Sequence, residues 1–93
     1  MDAARAAEAF LRTAQSMLRD LNDLAAGGLF AELAARAEVL GQEARALGLP
    51  DLALAAEWLA ANALAGAPVQ QRLAEVQRKL AAGLSALEDA QGR

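Results

Sequence analysis

The chain has 93 residues and a net charge of −3, with no Cys, no His and no Tyr. That length is one small domain near the lower limit for burying a core unaided. Its acidic balance excludes the basic footprint of a nucleic-acid binder or a polybasic membrane patch, and the missing Cys and His remove disulfides, thiolate chemistry, the commonest metal ligand and the commonest general base.

Strands favour β-branched and aromatic residues. Here Val occurs three times, Thr once and Ile never, beside two Phe and one Trp, so the expected fold class is all-α. An acid at the second position does not suit a signal peptide, and no apolar run approaches the ~20 residues that span a bilayer. The expected location is the cytoplasm.

A first helix is predicted over 2–25, with Phe10, Ala14, Met17, Leu21 and Leu24 as its inward stripe and Leu11 and Leu18 widening it. Gly27 and Gly28 mark the turn that ends it. The second helix, over 29–47, places Phe30, Leu33, Ala37, Leu40, Ala44 and Leu47 at alternating steps of three and four along one seam. Glu32 and Arg36 can pair on its outer side, and Gly48 stops it before Pro50 opens the next.

The third helix, over 50–65, buries Leu52, Ala55, Ala56, Leu59 and Ala63, leaving Leu54 and Trp58 on a flanking face. The fourth, over 68–89, carries Val69, Leu73, Val76, Leu80, Gly83 and Leu87 at the same spacing, with Leu84 beside them and a Glu75–Lys79 pair outside. Gly83 suits close helix contact within the bundle, and the tail 91–93 should fray. Short links between four amphipathic helices predict a single antiparallel up-down-up-down four-helix bundle spanning residues 1–93.

The run over 33–60, LAARAEVLGQEARALGLPDLALAAEWLA, resembles the histidine-containing phosphotransfer (HPt) domain, a small four-helix bundle of bacterial two-component phosphorelays. In ungapped register Leu40 matches the motif's Leu, Ala44 a small residue and Leu47-Gly48 the pair that ends the helix. Leu49, Pro50, Leu52 and the Ala-rich third helix continue the match, over roughly 25–64 in all. The sequence departs where the chemistry would be: Glu38 stands at the phosphorylated His, Gly41 at the Lys and Gln42 at the Gly.

A carboxylate is ionised at neutral pH and weakly nucleophilic, so no phosphohistidine relay can run on this chain. The resemblance therefore implies a non-catalytic domain, without cofactor or metal, that binds a receiver domain or a histidine kinase and modulates the relay. Its implied partner face is Ala34, Ala35, Glu38, Gly41, Gln42 and Arg45. The plain alternative for Glu38 is a solvated acid, and for Gly41 a neutral substitution. A different class of function, a structural or assembly bundle, would use Leu54 and Trp58, residues that otherwise serve as edge-of-core fillers. A monomer or weak homodimer fits either reading.

Overall fold

The computed structural model describes the backbone over residues 2–91 and, within that span, the side chains of 5–86 and 89. The described chain is all helix: α1 (Asp2–Ala26), α2 (Phe30–Ala46), α3 (Pro50–Ala65) and α4 (Gln70–Gln91). The Leu87 position on the α4 stripe and the fraying expected at Gly92 and Arg93 lie outside the described residues.

Three of the four helices end by one device. At Gly48, φ is +77°, a region where a Cβ would clash with the following carbonyl oxygen and glycine has none. Its N–H donates to the Arg45 carbonyl at 3.2 Å, and the Leu49 N–H donates to the Ala44 carbonyl at 2.9 Å. These two bonds form a Schellman closure that satisfies carbonyls the helix cannot. The same pair recurs where Gly28 follows α1 and Gly66 follows α3. Pro50 then starts α3 with φ already helical. At α4 the helix starts at Gln70, two residues beyond Pro68, and the buried Val69 supplies the carbonyl that accepts the Leu73 N–H at 2.8 Å.

The helices pack as a ring: α1 on α2, α2 on α3, α3 on α4 and α4 on α1. Leu11, Leu21, Leu33, Leu40, Leu59 and Val76 are the largest fully buried side chains. Asp20 of α1 lies 3.9 Å from Arg36 of α2, Gly41 of α2 meets Ala53, Ala56 and Glu57 of α3, and Leu11 of α1 reaches Gly83 of α4. The most extensive contact is between α2 and α3. Ala34, Ala37, Gly41 and Ala44 on one side and Ala53, Ala56 and Ala60 on the other are all buried, and such small side chains let two helix backbones approach closely.

The stripes expected from sequence are rotated in α1 and shortened in α2. Phe10, Leu11, Ala14, Leu18 and Leu21 fill the core, while Met17 and Leu24 are only partly buried against it. Phe30 is 41% exposed, because it stands at the first residue of α2, beyond the layer of core side chains. On α4, Glu75 pairs with Arg72 at 3.8 Å in place of Lys79, whereas Glu32 and Arg36 pair at 3.0 Å as their spacing predicts.

Candidate functional site

The outer face of α2 is unlike an ordinary solvated helix face. Glu38 lies near the middle of the helix, exposed, and it has no hydrogen bond or ion pair within the described residues. Its exposed neighbours are Ala35, Val39 and Gln42, so one carboxylate stands among uncharged side chains. Val39, 48% exposed, was not among the residues expected here. Its signal was present in the Ala35-Val39 spacing of four, which puts both on one face.

Two residues expected on this face are turned away from it. Ala34 is 1% exposed and Gly41 is buried. Both face α3, and a Cβ at Gly41 would stand 3.3 Å from the Ala53 carbonyl oxygen and 3.3 Å from Glu57 Cγ. The backbone that approaches Gly41 is therefore the chain's own third helix, and neither residue can meet a partner directly. Arg45 remains exposed at the rim, where its Nη2 and Nε donate to Glu57 Oε2 at 2.7 and 3.2 Å. These two charge-assisted bonds to one carboxylate oxygen tie the end of α2 to α3.

Beside Glu38's face, Met17, Ala35 and Val39 line an open groove of about 300 Å³ between α1 and α2, with Asp20 and Arg36 at its edge. Arg36 is already held by Glu32 and Asp20, so the groove offers apolar contact beside a rim whose base is paired and whose balance is one negative charge. Chemically, the face can accept hydrogen bonds, approach a cation brought by another molecule and exclude water through its alanines and Val39. Among the described residues no group of three His, Cys, Asp or Glu side chains converges to hold a metal ion, and no helix is long and apolar enough to cross a membrane.

A second face lies on α3. Leu54 and Trp58 are 51% and 49% exposed, more open than edge-of-core fillers. The Arg72 guanidinium stacks over the Trp58 ring at 4.9 Å, and the two share a shallow depression with Asp51, Leu54, Glu75 and Lys79. A third feature is the uncharged end of the bundle, where Phe30 opens beside Gly66, Ala67, Pro68 and Val69. No family model, no curated protein and no solved structure matches the chain.

Proposed function

We propose that the chain is a non-catalytic, HPt-like protein-interaction domain that binds a receiver domain or a histidine kinase in the cytoplasm and modulates a phosphorelay without carrying a phosphoryl group. The reading includes the up-down-up-down, antiparallel arrangement. Its support is that residues before and after each turn sit close, as in Asp20 with Arg36 and Arg45 with Glu57, while Leu11 near the start meets Gly83 near the end.

The observation that carries the proposal is the unpaired, exposed Glu38 among Ala35, Val39 and Gln42, at the position where the family keeps its phosphate-accepting ring. In this reading the docking face is made of the exposed residues Ala35, Glu38, Val39 and Gln42, with Arg45 at the rim. In the family's docking mode Glu38 would face the acidic, Mg²⁺-binding pocket of a receiver. A carboxylate is a hard oxygen ligand suited to Mg²⁺, so it would take the place of the phosphoryl group beside the metal. Without the metal, acid meets acid and the contact is repulsive.

Titration calorimetry against a panel of receiver domains, with and without Mg²⁺, tests this. Binding is expected to strengthen with Mg²⁺ and to weaken about tenfold or more in Glu38→Ala. Binding that responds to neither change would remove Glu38 from the interface and end the proposal.

A further inference from the structure

The outer face of α3 is the most apolar exposed helix surface in the molecule. The helix carries only two charges, Asp51 and Glu57. Its inner side buries Leu52, Ala55, Ala56, Leu59 and Ala63, yet Leu54, Trp58, Ala61 and Leu64 recur on the outer side at steps of four, three and three, all exposed. A helix apolar all round is normally covered all round. By contrast, α1 turns Arg12, Gln15, Arg19 and Asp23 to water.

The rims of this stripe say what covers it. On the α2 side, Arg45 and Glu57 lie 2.7 Å apart. On the α4 side, Arg72 and Glu75 lie 3.8 Å apart, with the Arg72 guanidinium over Trp58. The α2-side rim is one base next to one acid, and the α4-side rim adds Asp51 and Lys79 to Arg72 and Glu75, two of each sign, so neither rim carries a net charge to draw a partner. A two-fold axis crossing the stripe beside Trp58 sets each rim against its own reversed copy, so that base opposes acid twice. Arg45 then faces Glu57 of the partner subunit, and Arg72 faces Glu75 of the partner subunit. An interface of this isologous kind is self-complementary by symmetry.

We infer that the α3 face is a homodimer interface, in which Leu54, Trp58 and Leu64 from two copies of this chain pack across a two-fold axis between reciprocal Arg–Glu rims. The area sets its strength. Leu54, Trp58 and Leu64 leave 51%, 49% and 65% of their surfaces to water. At on the order of 200 Å² for a large apolar side chain, that is roughly 300–400 Å² per copy. Standard interfaces bury about 800 Å² per partner, so the dimer belongs to the weak, transient class. The inference is independent of docking at Glu38, which lies on α2.

Trp58 is the chain's one tryptophan, so its fluorescence reports this face alone. Sedimentation velocity and Trp58 emission are measured together from about 1 µM to 1 mM, the range in which a weak dimer forms. The mass is expected to double while the emission maximum moves to shorter wavelength along the same isotherm. Leu54→Glu and Trp58→Ala, checked for helicity by circular dichroism, are expected to stay monomeric. Arg45→Glu and Glu57→Arg alone each place like charges across the seam and are expected to weaken the dimer about tenfold or more. An equimolar mixture of the two variants restores base against acid and is expected to associate more tightly than either variant alone. That recovery cannot come from the intrachain Arg45–Glu57 bond, which is broken in both variants. A strict monomer at 1 mM would overturn the inference and leave the face to a heterologous partner. A dimer indifferent to Leu54→Glu, or a mixture no tighter than its components, would overturn it as well.

Discussion

Two seams of this small bundle are built on opposite plans. Between α2 and α3 the buried side chains have one carbon or none: Ala34, Ala37, Gly41 and Ala44 against Ala53, Ala56 and Ala60. Between α1 and α4 the contact is made by Leu11, Leu18, Leu80 and Leu84. The first seam holds because two backbones come close over many residues, the second because long side chains fill a wider gap. Close-packed interiors resist both the addition and the removal of volume, but the two seams should be sensitive to opposite changes. The α2–α3 seam is vulnerable to enlargement and the α1–α4 seam to truncation.

The largest effect is expected from truncation in the wide seam. Leu11 is 1% exposed, and Leu11→Ala removes three buried carbons where the surrounding leucines can collapse only in part, at a cost of about 2–5 kcal/mol. A domain of this size has on the order of 5–14 kcal/mol in total, so the midpoint of urea unfolding should fall sharply at unchanged m-value. Enlargement in the narrow seam comes next. Gly41→Leu forces a branched side chain into a space where even a Cβ meets a carbonyl oxygen at 3.3 Å, for a loss of about 1–3 kcal/mol or more. The reciprocal variants sharpen the contrast. Leu11→Met should cost less than about 1.5 kcal/mol because volume is kept, whereas no residue larger than alanine should be tolerated at Gly41.

The same difference explains what was legible in the sequence. Element order, the three glycine stops and the proline start of α3 are written in residues whose backbone preferences act locally, and α3 spans 50–65 as expected. The phase of α1 was not, because Phe10 and Leu11, and again Met17 and Leu18, are adjacent large apolar residues and offer two stripes of equal merit. Phe30 was misplaced since periodicity carries no information about where a core ends. The narrow seam was hardest to see. Ala and Gly add little to a hydrophobic pattern, so Ala34, Gly41, Ala53 and Ala60 gave no sign of burial, and two of them were read onto the docking face. Glu38's exposure was legible from its charge, and Val39 beside it was passed over because an apolar residue is not expected in water.

Smaller effects probe what lies outside the two seams' packed centres. Arg45→Ala removes the paired hydrogen bonds to Glu57 Oε2 that close the rim of the α2–α3 pair. Both side chains are about half exposed, 57% and 43%, so screening keeps the loss to about 0.2–1 kcal/mol. The loss should shrink with added salt, and a Tm series in increasing NaCl reads it directly.

The two helix-interior glycines give the finest test, because they carry the same intrinsic penalty in opposite seams. Alanine is favoured over glycine by about 0.5–1 kcal/mol in a helix interior. At Gly83 a new Cβ meets only the Leu11 methyls at 3.4 and 3.5 Å, the far end of a side chain that can shift by a few tenths of an ångström. Gly83→Ala should therefore stabilise by most of that amount. At Gly41 the same methyl meets the Ala53 carbonyl oxygen at 3.3 Å, and a backbone atom inside a helix yields only if α3 moves as a whole. The gain in propensity is then offset by crowding, and Gly41→Ala should fall within a few tenths of a kcal/mol of zero. Urea midpoints of the two variants side by side decide the matter. If Gly41→Ala stabilises as much as Gly83→Ala, α3 is free to recede, and close backbone approach is not what holds the α2–α3 seam.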